Sequence, residues 1–182
     1  LPARYWLYVG GYDYRKNLEL LIDAYGRAAQ SSECPSLVLA GNIPRNLSKP
    51  VCDVHGALRR AGIASERVCC PGYIDAGDLA AVYAGAELFI YPSLSEGFGL
   101  PPVEAMSCGC PAIVADTTSL PEVVTDEDYR FPVGHSARLV EMLLSAARAP
   151  LPLNPGFDRS LYGQARGIRD YLQVIERAER HG

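Results

Sequence analysis

Much is missing from this chain of 182 residues, and each absence removes a class of protein. No apolar run approaches the roughly 18–20 residues needed to span a bilayer, so no transmembrane segment is expected. Positive charge is not in excess. The 17 basic residues are outnumbered by 21 acidic ones, for a net charge of −4. No bulk field exists to hold a nucleic-acid backbone, and no nucleic-acid partner is expected. A local basic site for a small phosphate remains open. The sequence has no GxxxxGK[ST], so ATP hydrolysis of the P-loop kind is not supported. It has no GxGxxG after the first apolar run, which weighs against a dinucleotide-binding module. It also has no CxxC. Of the six cysteines, Cys69 and Cys70 are adjacent, and Cys108 and Cys110 have no histidine nearby to complete a zinc site. The expectation is six free thiols acting as small hydrophobes in a reducing cytosol. His55, His135 and His181 share no motif, so surface or capping roles are expected and no metal. The chain opens Leu1-Pro2-Ala3-Arg4 with neither an initiator methionine nor a basic, apolar leader. A segment of a longer chain is the expectation.

What is present describes a globular domain. Hydrophobic residues make up 48% and charged residues 21%, enough apolar surface to offset the ordering entropy of a core. Short apolar runs alternate with longer helical patterns. Residues 5–10, 36–41, 67–71, 87–91 and 111–115 predict five strands. Leu18, Leu21, Ile22 and Tyr25 repeat at helical spacing and predict a helix over 18–30, with Asn17 as its cap. Further helices are predicted from Pro50 to near Gly62, over 78–84, over 101–108 and over 137–148. The strands read as near-continuous apolar runs, which predicts a mostly parallel sheet covered on both faces, a Rossmann-like three-layer α/β/α fold. Residues 42–49 read as a polar loop. Three prolines and a glycine make 149–157 a linker or an extended crossing, and 161–180 reads as a last helix. The expected division is a domain over 1–150 and an appended segment over 151–182.

In an open parallel sheet, ligands bind beyond the carboxyl ends of the strands. Three unusual loops fall at such ends. Gly10-Gly11 lets the backbone come close to a ligand, and Arg15 and Lys16 place two cations at a helix start, where anions are already favoured. After the fourth strand comes Pro92-Ser93-Leu94-Ser95-Glu96-Gly97-Phe98-Gly99-Leu100-Pro101-Pro102-Val103-Glu104. Glu96 is a charge beside two glycines with no obvious packing task, and Glu104 falls in the first turn of the next helix. Carboxylates accept hydrogen bonds from sugar hydroxyls, and loop amides donate to phosphates. In the third loop, Ser119 and Glu122 read as a capping box. Gly72-Tyr73-Ile74-Asp75 could lend backbone groups to a planar base.

Taken in order, YVGGYDYRKNLELLIDAY, LVLAG, CCPGYID and LAAVYAGAELFIYPSLSEGFGLPPVEAMSCGCPAIVADTTSLPEVV resemble the C-terminal, donor-binding domain of family 4 (group 1) glycosyltransferases of the GT-B fold. The resemblance covers about residues 5–124. EGFGLPPVE matches the Glu-x7-Glu signature in spacing and context, whereas Thr125-Asp126-Glu127-Asp128 departs from the family's Gly-Asp-Ala-Ala-like stretch. The resemblance implies a retaining hexosyltransferase, with mannose among the candidate sugars, working on a glycan or lipid-linked acceptor without a metal. Arg15 and Lys16 would bind the donor pyrophosphate, and Glu96 would contact the transferred sugar. These three are the implied catalytic set. The implied donor-binding set is Gly10, Gly11, Tyr73, Ile74, Ser93, Gly97, Phe98, Gly99, Leu100 and Glu104, with Glu104 on the ribose and Tyr73 and Ile74 near the base. The implied partners are a GDP- or UDP-linked sugar and an N-terminal GT-B domain of the same full-length chain. The implied location is the cytoplasm, with attachment to the inner membrane face through that other domain. A nucleotide-sugar-binding module without catalysis, or a GT-B nucleotide-sugar epimerase, is the alternative.

Overall fold

The computed structural model describes residues 1–42 and 51–162. Its centre is a six-stranded sheet: β1 (Tyr5–Val9), β2 (Ser36–Ala40), β3 (Val68–Gly72), β4 (Leu88–Tyr91), β5 (Ala112–Asp116) and β6 (Arg130–Pro132). The order is β3-β2-β1-β4-β5-β6, and every adjacent pair is parallel. The Rossmann-like α/β class expected from the sequence is the one found. Strand order reverses between β1 and β4, so the chain leaves these two neighbours in opposite directions and opens a crevice at their carboxyl ends.

The central strands are buried on both faces, which is why they show no alternation. Leu7, Val38, Phe89, Ile90, Ile113 and Val114 have no solvent exposure. Each aliphatic side chain buried this way stabilises the fold by about 1.5–3 kcal/mol. The helices are α1 (Leu18–Ser31), α2 (Val54–Arg60), α3 (Ala76–Ala84), α4 (Leu100–Ser107), α5 (Leu120–Val123) and α6 (Ser136–Arg148). Helix α1 buries Leu18, Leu21, Ile22, Tyr25 and Ala28, and packs on α2 and α6. Its Tyr25 meets the core residue Trp6 edge-on, with ring centroids 6.1 Å apart. Helix α3 packs on α4. Among the described residues, no helix is long and apolar enough to cross a membrane.

Several local expectations need correction. Helix α2 starts at Val54, not Pro50, because the Asp53 carboxylate accepts from the Gly56 amide (3.0 Å) and sets the cap there. Val51 instead forms an isolated antiparallel bridge with Asp13. Asn17 occupies the N-cap position of α1 in a left-handed conformation, but its side chain makes no cap bond. Strand β6 was not expected: it is three residues long and is hidden behind the acidic stretch before it. The segment 149–157 contains no strand or helix, yet Asn154 is buried and holds both backbone groups of Ala112, as donor and as acceptor, at 2.8 Å. Most of the predicted helix over 161–180 and most of the loop over 42–49 lie outside the described residues.

All six cysteines are free. Burial pushes the Cys52 thiol up to about 11 and the Cys110 thiol up to about 12, so neither is a ready nucleophile. His55 and His135 are exposed.

Candidate functional site

The crevice floor is set by glycines at the carboxyl ends of β1 and β2. The Gly10 amide donates to the Ala40 carbonyl (3.0 Å), and the Gly41 amide to the Gly72 carbonyl (2.8 Å). Gly41 has φ +144°, and a Cβ there would sit 2.0 Å from the Gly10 carbonyl oxygen. No other residue fits so close an approach of two strand ends. Above this floor lies a hollow of about 350 Å³ lined by Gly10, Gly11, Gly41, Asn42, Tyr73 and Ile74. A second hollow of about 550 Å³ is lined by Tyr83, Leu100, Glu104 and Arg159, among others. Ala76 and Leu79 of α3 line both hollows, so the two adjoin the same helix.

A half-buried polar cluster joins the turn before α1 to the loop after β4. Arg15 and Lys16 fall in a 3-10 turn (Tyr14–Lys16) ahead of α1, not in the helix itself. That turn aims Lys16 across the switch point toward the loop after β4. Its Nζ lies 2.6 Å from Glu96 Oε1 and donates to the Tyr91 hydroxyl at 2.8 Å. The Lys16 and Glu96 side chains are 13% and 12% exposed, so this is a half-buried ion pair. Glu96 Oε1 also accepts from the Tyr91 hydroxyl (3.0 Å) and the Ser93 hydroxyl (2.5 Å). Among the described residues, Oε2 has no hydrogen-bond partner and is free for a ligand hydroxyl. Arg15 behaves differently. It is mostly exposed, and its Nε lies 3.1 Å from Asp13 Oδ1.

The Glu96 loop is clamped on both sides. On one side the Arg15 carbonyl accepts from the Leu94 amide at 2.7 Å. On the other, Thr118 Oγ accepts from the Glu96 amide (3.0 Å), Ser119 Oγ donates to the Glu96 carbonyl (3.1 Å), and Thr117 Oγ donates to the Leu94 carbonyl (3.1 Å). The expected Ser119 capping box is therefore absent: Ser119 makes no cap bond, and its hydroxyl serves the Glu96 loop. Gly99, at φ +86°, lets the loop enter α4 where a Cβ would meet Leu120 at 2.8 Å. Gly97 and Phe98 are exposed, and the Phe98 ring packs edge-on against Tyr162 (6.1 Å). Pro101 and Pro102 remove two amides from the first turn of α4, so the free donors at this helix start lie in the loop before it. Helix α4 begins at Leu100, which puts Glu104 in the second turn, not the first. A simple helix-dipole role for it is accordingly weaker. Its Oε2 accepts from the buried Tyr83 hydroxyl at 2.9 Å.

Burial alone would raise the Glu96 carboxyl. The hydrogen bonds from Lys16 and Ser93, the Lys16 charge and the bond from Tyr91 outweigh it and hold the group below the ordinary carboxylate range. Glu96 is thus ionised at neutral pH, an acceptor and a charge rather than a proton donor. Its ionised form binds tighter in the folded state, so its contribution to stability is complete above the ordinary value of about 4.3. That contribution is lost as pH falls through the depressed value. The wild-type chain is expected to lose stability relative to Glu96→Gln as pH drops below about 4.3, measured by urea unfolding at stepped pH. Parallel curves would contradict the Lys16–Glu96 pairing.

The sequence-derived residues thus fall into groups. Gly10, Gly11, Tyr73 and Ile74 line the first hollow, and Leu100 and Glu104 the second. Lys16, Ser93 and Glu96 form the polar cluster, and Arg15 stands outside it. Gly97, Phe98 and Gly99 lie on the connecting loop. Sequence reasoning missed Tyr83 and Tyr91, which read only as helix and strand residues, and the Thr117–Ser119 strap, which read as a cap.

A doubly wound parallel sheet with glycine-floored strand ends and an acidic pair at the switch point defines an α/β domain built around a ligand crevice. Residues 2–150 match the family described as Glycosyl transferases group 1, and the chain belongs to that family. It is 38% identical over 136 residues to the serotype-specific mannosyltransferase WbdA of Escherichia coli, covering 72% of this chain and 16% of that protein. It is 41% identical over 123 residues to O-antigen chain mannosyltransferase B of the same species, covering 67% of this chain and 31% of that protein. The chain therefore spans less than a third of the length of these relatives. Among solved structures, sucrose-phosphate synthase from Thermosynechococcus elongatus superposes with a TM-score of 0.75 at 25% identity, covering 100% of this chain and 47% of that one. HepE from Anabaena, in complex with UDP and glucose, gives 0.68 at 24% identity, covering 80% and 39%.

Proposed function

We propose that this chain is the donor-binding domain of a retaining glycosyltransferase, which transfers a hexose from a nucleoside-diphosphate sugar to a glycan or lipid-linked acceptor. The observation that carries the reading is the Lys16–Glu96 pair at the β1–β4 switch point, joined by one loop to the helix whose Glu104 lines a hollow. Mannose is the favoured sugar, because the relatives named above are mannosyltransferases. GDP or UDP is the carrier, and HepE, a neighbour in fold, is known with UDP. Residues 1–150 form the donor domain, and 151–182 lead toward an N-terminal acceptor domain of the full-length protein. The enzyme works in the cytoplasm, peripheral to the inner membrane face.

In this reading the base lies near Tyr73 and Ile74, over Gly10 and Gly11, and the ribose hydroxyls donate to Glu104. The diphosphate meets Lys16, Arg15 and the amides of Gly97, Phe98, Gly99 and Leu100. Ser93 holds Glu96 Oε1, and Oε2 accepts from a sugar hydroxyl. The bond between the anomeric carbon and the phosphate oxygen breaks as the acceptor oxygen bonds to the same face. The acceptor's proton passes to the departing phosphate. Stabilising the developing diphosphate charge is the main catalytic task, and it falls to fixed cations and amides. No metal is required in this scheme. The test is turnover of the full-length protein with GDP-mannose and UDP-glucose in EDTA. A product of retained anomeric configuration at an undiminished rate is expected. Inversion, or loss of activity restored by magnesium, would contradict the mechanism.

A further inference from the structure

Seven tyrosines among the described residues are buried: Tyr5, Tyr8, Tyr12, Tyr25, Tyr83, Tyr91 and Tyr129. A buried hydroxyl must find a partner, and a backbone carbonyl is the common choice. Five of the seven follow it: Tyr5 donates to Val82, Tyr8 to Gly11, Tyr12 to Leu39, Tyr25 to Pro35 and Tyr129 to Pro152. The other two donate to carboxylates, and those carboxylates are Glu96 and Glu104. The two rings are joined through Phe89. Tyr83 meets Phe89 edge-on at 5.5 Å, Phe89 stacks on Tyr91 at 5.7 Å, and Tyr91 stacks on Tyr8 at 6.1 Å. An aromatic column anchored in β1 and β4 thus presents one phenol to each acid.

We infer that the hydroxyls of Tyr91 and Tyr83 are positioning groups. Tyr91 fixes Glu96 toward the transferred sugar, and Tyr83 fixes Glu104 toward the ribose. The inference rests on the donor-site reading above and adds a division of labour to it. Each phenol occupies one carboxylate oxygen, which stops the carboxylate rotating and leaves the other oxygen for the ligand. Tyr91 has a second task, because its oxygen accepts from Lys16 while its proton goes to Glu96, so it holds the ammonium and the carboxylate in fixed relation. Tyr83 is the only hydrogen-bond partner of the Glu104 carboxylate among the described residues, and Glu104 is otherwise exposed.

Tyrosine-to-phenylalanine variants keep the aromatic column and remove only the hydroxyls. The 182-residue chain is titrated calorimetrically with UDP, GDP, UDP-glucose, GDP-mannose and the 2′,3′-dideoxy forms of the two diphosphates. Loss of one hydrogen bond corresponds to about 3- to 10-fold in affinity. Tyr91→Phe is expected to weaken the sugar nucleotide by that factor beyond any change in the free diphosphate, which reports the Lys16 contact alone. Tyr83→Phe is expected to weaken both equally and leave the dideoxy diphosphate unchanged. Equal losses across all probes in both variants, or no loss in either, would overturn the inference while leaving the donor-site reading intact. A wild-type chain that binds none of the probes would instead count against that reading. In the ligand-free chain, carbon-13 carboxyl resonances give an independent check. Tyr91→Phe is expected to shift the Glu96 signal alone, and Tyr83→Phe the Glu104 signal alone; unchanged signals would overturn the inference by themselves.

Discussion

Replacing Lys16 by alanine is expected to weaken binding of a nucleoside diphosphate by about 10- to 100-fold, the loss of one charge-assisted hydrogen bond. Affinity for the bare nucleoside is expected to stay the same. The reason is positional. Lys16 is held at the β1–β4 switch point by Glu96 and Tyr91, apart from the hollow lined by Gly41, Tyr73 and Ile74 that the reading assigns to the base. Arg15→Ala is expected to cost much less, because Arg15 is solvent-exposed and already balanced by Asp13. Titrations with nucleoside and diphosphate in parallel decide the matter. Equal losses for both ligands would remove the phosphate role from Lys16.

Glu96→Gln is expected to act in opposite directions on two ligands. The amide is nearly isosteric and can still accept from Ser93 and Tyr91. It no longer neutralises Lys16, so the ammonium is freer to meet a phosphate. Free diphosphate is expected to bind at least as tightly as to the wild type. Turnover of the full-length enzyme is expected to fall by about 100-fold or more, the scale seen when one electrostatic contact to a transition state is removed. A variant that keeps its rate would separate Glu96 from the transferred sugar. The two substitutions together distinguish a shared site from two unrelated ones, since Lys16 and Glu96 are in direct contact and their effects should not add.

Much of the fold was legible because its signals are local. The strand LFIY of β4 and the i, i+3, i+4, i+7 pattern of α1 need no tertiary information, and near-continuous apolar strands imply a sheet covered on both faces. What escaped depends on partners far away in the chain. Strand β6 is three residues held in place by pairing with β5, so its sequence alone has no length to announce it. Ser119 is a plausible cap by spacing, but the Glu96 carbonyl, 23 positions earlier, takes its hydroxyl. Glu96 was visible because a charge between a strand end and two glycines has no packing reason. Tyr83 and Tyr91 were invisible because a tyrosine on a helix or strand is ordinary core until its hydroxyl is followed to its acceptor.

The central claim is that the site at the carboxyl ends of the sheet's strands binds a nucleoside-diphosphate sugar through this chain's own residues. The most direct measurement is a calorimetric titration of the 182-residue chain, in EDTA, with the UDP, GDP and ADP forms of free and sugar-linked diphosphates. Saturable one-to-one binding of at least one sugar nucleotide, weakened by Lys16→Ala, is the predicted result. No binding of any of them, or binding indifferent to Lys16, would contradict it.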